Sequence, residues 1–316
     1  MNEKNEWYRC KIDRKTLKAL SRRSDRDGYI RFGGILATLI ALGVLLVLVW
    51  GTWVAVPVFL VYSVVWSFAN AMGHEACHGT TFRTWSYNNA LLYICSWMVN
   101  WEPISVRWVH ARHHSHTSIV GDDAEYALPN PIKWRDLIVM LSGWIEVWHY
   151  NKELVQLSVG YIPHFIRLSV PAQELPGVIR NARLFLLSYG LIIAAAIVFQ
   201  SWLLFCLLIL PRIVGEPMHG YLRILQHGGL ATGVRDHRKT TRTMYVNPVL
   251  AFFYCNMQYH LEHHMFPMVP FHSLAALHEE LKDQMPTPDA NSLVAMRDVF
   301  AAKREQRDNP AFVLAR

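Results

Sequence analysis

Cysteine is scarce in this chain of 316 residues: Cys10, Cys77, Cys95, Cys206 and Cys255 are all there are, with no CxxC pair among them. That scatter implies neither a disulfide framework nor a thiolate metal site. Acidic residues are also in deficit, 24 against 31 Lys and Arg, which leaves a net charge of +7. No basic repeat, zinc-finger spacing or aromatic-studded basic strand accompanies the excess. Membrane topology therefore explains it better than a nucleic-acid partner. Charge is missing altogether from residues 32–72. A secretory leader is not expected either: residues 1–31 hold ten Lys/Arg against five acids, and no small-residue cleavage site ends the apolar block that follows. This basic segment is expected to stay attached, on the cytosolic face.

What the chain does have is hydrophobic residues, 52% of the total, gathered into two blocks at 32–72 and 182–210. Length alone would allow two domains at about 150 residues each, but the blocks read as one integral membrane unit. A bilayer core of about 30 Å needs roughly 20 apolar residues in a helix. Residues 32–50 and 52–72 supply two such spans, joined by an uncharged turn at Gly51 that suits the outer face. The second block is too long for one span, and Gln200-Ser201 divides it into 182–199 and 202–219. The last span then carries Pro211, Arg212, Glu216 and Pro217 in its inner half, and Arg212 and Glu216, four apart, are expected to pair. A reading with three spans would strand the third histidine cluster across the bilayer from the others. The expected fold is thus an all-α integral membrane protein with four transmembrane helices in two hairpins and a helical cytosolic cap. Its segments are 1–31, basic and cytosolic; 32–72, the first hairpin; 73–181, with two histidine clusters; 182–219, the second hairpin; and 220–316, with the third cluster. Residues 89–101 and 137–148 are too short or interrupted to span. Trp97, Trp101, Trp134, Trp144 and Trp148 suit interfacial or re-entrant helices there, and core helices of the cap remain an equal alternative.

The informative surplus is histidine. His74 and His78 stand four apart; His110, His113 and His114 repeat the three- and four-residue spacing, as do His260, His263 and His264. On a helix such positions share one face, about 5–6 Å apart. A single zinc takes about four ligands, so eight imidazoles point to two metals. His227, shortly after the last span, is a ninth candidate ligand. Imidazole alone does not name the metal. The clusters lack the Glu-x-x-His pattern of carboxylate di-iron bundles. Glu75, Asp122, Asp123, Asp236 and Glu262 are instead expected to accept hydrogen bonds from imidazole N–H groups; His116 is a further helper of that kind, and the remaining histidines are expected at the surface or interface. Arg107, Arg223 and Arg242, with Arg235 and Arg238, could grip an anionic head group, or simply line the anionic inner leaflet.

The runs His74-Glu75-Ala76-Cys77-His78-Gly79-Thr80, His110-Ala111-Arg112-His113-His114-Ser115-His116-Thr117 and Gln258-Tyr259-His260-Leu261-Glu262-His263-His264 resemble the three histidine boxes of membrane fatty acid desaturases. Residues 265–272 (MFPMVPFH) and 240–243 (TTRT) look like the same family, and the likeness covers roughly residues 32–280. It implies two iron ions, dioxygen as co-substrate, a fatty acyl or lipid substrate, and activity as an oxygen-dependent acyl-lipid desaturase. Gln226-His227 looks like the extra ligand the family places before its third box. Box three begins here with His260, whereas the front-end branches have Gln there. No His-Pro-Gly-Gly haem motif occurs, so the resemblance implies a separate electron donor of ferredoxin, rubredoxin or cytochrome b5 type. Such chemistry attacks unactivated C–H bonds, for which the cofactor is responsible. Desaturation is the expected outcome, hydroxylation the alternative, and a small non-lipid amine or amino-acid derivative remains open as substrate. Two rivals fit worse. A metal transporter would want ionisable residues through the membrane, which residues 32–72 lack. A zinc hydrolase would use three protein ligands and an open position.

Overall fold

Asp13 and Ser24 cap the first two helices, α1 (Arg14–Leu20) and α2 (Asp25–Leu48), each accepting a backbone N–H three residues on. The chain is seen here as a computed structural model that describes residues 6–125 and 128–315. Among these the secondary structure is helical, with no strand and only the isolated bridges Thr243–Tyr259 and Met244–Asp289. At about 1.5 Å per residue, the 24 residues of α2 are long enough to cross a bilayer. The helix begins ahead of the apolar block because Asp25 and Asp27 suit its positive end. A turn at 49–54 leads into α3 (Ala55–Ser67) and, after a break at Phe68, α4 (Ala69–Cys77). Together these make the second long apolar segment, 61% buried inside the protein against 22% for α2. This is the central helix of the bundle. It runs past residue 72, so His74 lies within the segment rather than beyond its end.

Helix α5 (Trp85–Val99) ends at Asn100, which adopts a left-handed φ of 61°, and packs along α4. Helix α6 (Pro103–His116) has Pro103 in its first turn, where no N–H is needed, and Glu102 as its N-cap. Next come α7 (Trp134–Ser142) and α8 (Trp144–Ser158), hinged at Gly143, whose φ of +68° favours glycine. Neither α7 nor α8 is long enough to span. Both expose Trp134, Ile138, Trp144 and Trp148, in keeping with the interfacial expectation. A short α9 (His164–Ser169) leads to the third long apolar helix, α10 (Leu175–Val198). Leu154, Leu157, Ile166, Val178 and Phe185 join α8, α9 and α10 in a core of their own.

After Gln200 the chain reverses into α11 (Trp202–Leu208), α12 (Leu210–Val214) and α13 (Glu216–His227). The apolar path bends by 51° between α11 and the following segment. Pro211 accounts for the break, because it has no N–H to give the carbonyl four residues back, that of Leu207. Tyr62 on α3 donates its hydroxyl to Leu207 O instead, at 2.9 Å. Three helices are therefore long and apolar enough to cross a membrane, or four if the bent pair counts as one span. The expected Arg212–Glu216 pair forms, both side chains buried. Five further helices complete the chain: α14 (His237–Thr240), α15 (Pro248–Phe253), α16 (His260–Met265), α17 (Leu274–Leu281) and α18 (Ser292–Glu305).

Candidate metal centre

Four helices deliver the nine expected histidines to one place. His74, His78, His110, His114 and His263 come from α4, its C-cap, α6 and α16, and their ligand atoms lie within 4.8 Å of one another. His113, His227 and His264, from α6, α13 and α16, form a second group of the same tightness. His260 joins the second group, its Nε2 3.2 Å from that of His227 and 3.1 Å from that of His264. The two groups share a wall: His114 stacks on His264 with ring centres 4.3 Å apart.

Tethers on the far side of the rings orient them. His110 Nδ1 meets Glu125 at 3.1 Å, and His113 Nδ1 meets both oxygens of Asp123 at 2.9 Å. His227 Nδ1 donates to Thr240 O at 2.8 Å. Thr117 spends its hydroxyl proton on His113 O, so its oxygen accepts from His264 Nδ1 at 3.0 Å. Each tether places the proton on Nδ1 and leaves the Nε2 lone pair facing the centre. Yet Nε2 of His110 lies 2.9 Å from that of His78 and 3.1 Å from that of His114. Opposed lone pairs at such distances repel unless a cation lies among them. Both nitrogens of His74 and of His263 are buried without a hydrogen-bond partner. Burial first, then neighbouring histidines, hold His78, His114, His260, His263 and His264 well below the usual imidazole range. They are neutral, the form that binds metal. At the tethers the balance differs: burial opposes charge, but the Asp123 carboxylate raises His113, and His110 and His113 hold Glu125 at about 2. The donor set fits a pair of metal ions.

The expected carboxylates divide. Asp123 does orient a cluster imidazole, but Glu75 accepts from Thr80 Oγ1 and Phe271 N, and Glu262 from His278 and Thr243. Asp122 pairs with Arg112, while Asp236 caps α14 and pairs with Arg238. Those four bind scaffold, not the nine histidines. Sequence reasoning missed Glu125, Thr117 and the Thr240 carbonyl. Glu125 stands close behind the second cluster, but in a loop no periodicity gives its direction. Among the described residues, the His116 ring meets only the Arg112 carbonyl, four residues back. His237, expected at the surface, is buried, stacked on Trp7 at 4.1 Å and 5.3 Å from the His264 ring; His278 is buried too. Of the expected head-group arginines, Arg242 is fully buried and clamps Leu225 O, Gly228 O and Asp289. Arg107 lies over Trp85 and donates to Asn89. Arg223 lines a cavity but is paired with Glu146.

That cavity, of about 500 Å³, runs beside both histidine groups. His74, His110, His113, His227 and His260 form one wall, and α8 with residues 163–166 forms the other.

No individual curated protein matches the chain. The sequence profile for fatty acid desaturases matches residues 48–291, a stretch that contains all three histidine clusters and the bent apolar segment. Desaturase- or hydroxylase-type oxidoreductase activity goes with that profile, and the chain belongs to the fatty acid desaturase family.

Proposed function

We propose that this protein is a membrane-bound, dioxygen-dependent desaturase with two iron ions. His74, His78, His110, His114 and His263 would hold one ion, and His113, His227, His260 and His264 the other. The observation that carries this reading is the convergence of nine imidazoles into two adjoining groups along one cavity. When bound, the irons supply oxidation of an unactivated C–H bond, which no side chain can perform. Over a turnover, two hydrogens from adjacent substrate carbons, with two electrons and two protons, reduce dioxygen to two waters. An external electron carrier of ferredoxin, rubredoxin or cytochrome b5 type would deliver the electrons.

The polypeptide positions and shields. Asp123, Glu125, Thr117 and the Thr240 carbonyl fix tautomers and ring angles, so the lone pairs are preset. Burial of His110, His113, His260, His263 and His264 limits the access of bulk water to the reacting atoms. Four spans in two hairpins, with both termini and the metal centre on the cytosolic side, would place all three histidine clusters at one membrane boundary. Exposed apolar residues at both hairpin turns, Leu48 and Trp53 in one and Phe199 and Trp202 in the other, support that arrangement.

The test is metal analysis of the purified protein together with mass spectrometry of lipids and polar metabolites from cells with and without the gene. Iron near two per chain and a product short of two hydrogens are expected. A product gaining one oxygen would convert the reading to hydroxylation. One zinc per chain would refute it.

A further inference from the structure

Helix α8 buries Val147, Leu154 and Leu157 among apolar neighbours and turns a polar stripe to the cavity. Glu146, His149, Tyr150 and Glu153, spaced along one helical face, line the cavity. The opposite side exposes Trp144, Trp148 and Val155. Phe68, Val109, Leu128, Phe165 and Leu222 give the cavity the apolar lining an alkyl chain needs, and the α8 stripe adds polar groups that such a chain would not use.

The cavity's other carboxylates are all engaged. Glu146 pairs with Arg223, Glu125 with His110, and Asp123 with His113. Glu102 caps α6 and accepts from Asn181 at 2.8 Å. Glu153 has neither a hydrogen bond nor an ion pair among the described residues. Burial, then repulsion from Glu102, push its carboxyl up to about 7. Its neighbours in the lining add unspent polarity of their own: Asn70 Oδ1, Trp101 Nε1 and Ser105 Oγ are buried with no partner. Asn70, Trp101 and Ser105 are 1%, 8% and 3% exposed, so bulk water does not satisfy them.

We propose that this cavity takes a substrate bearing a cationic group, an ammonium or guanidinium, anchored by the Glu153 carboxylate. The inference rests on the oxidative reading of the same site and narrows its substrate from acyl lipid to cationic amine. Glu102 acts on Glu153 electrostatically and starts the helix that carries His110 eight residues later. The cationic group would therefore sit toward the start of α6, with the histidines further along the same helix. The cation neutralises a carboxylate that the fold leaves alone, and the oxidised carbon reaches the metal wall.

The test uses the full-length protein as purified in detergent and three probes of one chain length: hexylammonium, hexanol and hexanoate. Binding is followed by calorimetry for the wild type, Glu153→Gln and Glu153→Lys. Partition into micelles is common to all three proteins and cancels in the comparison. Wild type should bind hexylammonium at least about tenfold more tightly than hexanol, as a charge-assisted hydrogen bond gives. Glu153→Gln should erase that preference, and Glu153→Lys should turn it toward hexanoate. A wild type that prefers hexanoate or hexanol overturns the proposal, as does a Glu153→Gln protein with the ammonium preference intact. Iron content is measured on the same preparations. Absent iron with the ammonium preference present sinks the oxidative reading alone, while iron present without the preference sinks only this one.

Discussion

Asp123→Asn probes the tethering of the second metal group at its most constrained point. Asp123 is buried and receives three donors: His113 Nδ1 at 2.9 Å, Ser118 N at 2.7 Å and Glu125 N at 2.9 Å. Asparagine keeps one acceptor and turns the other into a donor, so at least one N–H ends facing an N–H. Leaving one buried donor unsatisfied costs about 1–3 kcal/mol. Losing a partner that orients a metal-bound imidazole typically lowers metal affinity about 10–100-fold, or about 1.4–2.8 kcal/mol, so the two routes to a magnitude agree. The assay is iron titration against a competing chelator in detergent. Two binding steps are expected in the wild type, one of them shifting by that factor in Asp123→Asn while the other stays put. Asp122→Asn is the control, because Asp122 is half exposed and, among the described residues, its side chain pairs only with Arg112. Unchanged affinity in Asp123→Asn, or an equal loss in Asp122→Asn, would refute the assignment of Asp123 as an orienting group.

His263→Ala should abolish product formation and reduce bound iron from about two to about one per chain; retained turnover would remove the third box from the site. Arg242→Ala should destabilise the fold by about 3–5 kcal/mol, since it takes the charge partner from Asp289 in a buried setting. The loss should appear as a lower melting temperature in detergent, whereas an unchanged melting curve with a raised KM would restore the head-group role. Gly215→Ala should cost about 1–3 kcal/mol, because a Cβ there would stand 1.9 Å from the Ser63 carbonyl oxygen; a melting curve like the wild type's would show that α12 and α3 part easily. Chelation of the metal should lower the melting temperature of the wild type, and by less in His263→Ala, which has less metal to lose; equal drops would argue against metal binding as the cause.

The nine histidines were legible because their spacing is a geometric statement: residues three and four apart on a helix must share a face. The same rule applies to Glu75 and Glu262. Each is next to a histidine on a helix, about 100° round the axis from it, and so turns toward scaffold partners rather than toward the histidine cluster. Asp123 and Glu125 lie in a loop, where sequence offers no period, and only the fold decides which of Asp122, Asp123 and Glu125 meets an imidazole. The long apolar helices were legible from hydropathy, but their ends were not. Polar first turns, as at Asp25, belong to the helix although they look like flanks, and the 51° bend at Pro211 depends on Tyr62, 149 residues earlier, to satisfy the carbonyl it frees. The burial of His237 depends on Trp7, part of a basic N-terminal segment whose composition gives no hint of docking.

The charges within the bent segment are the costliest feature of the fold, and their position accounts for them. Glu216 is completely buried and meets Arg212, His219 and, at 3.5 Å, Asn70. Arg212 also donates to the Val99 carbonyl at the end of α5. One helical turn beyond His219, Arg223 pairs with Glu146 on α8. Burying such groups costs several kcal/mol per ion, and apolar residues would hold helices together at least as well. What apolar packing does not supply is a fixed rotation of α13. Pinned at Glu216 and Arg223, and through Glu216 to Arg212 on α12, α13 cannot turn about its axis, and His227, four residues past Arg223, must then face the second histidine group. The same pins draw α8 toward α13 through Glu146, so the helix that offers Glu153 to the cavity is held by the network that aims His227. Removing Glu216 would thus disturb metal binding and cavity shape together, whereas Glu153, outside the network, can be changed with the metal centre left standing.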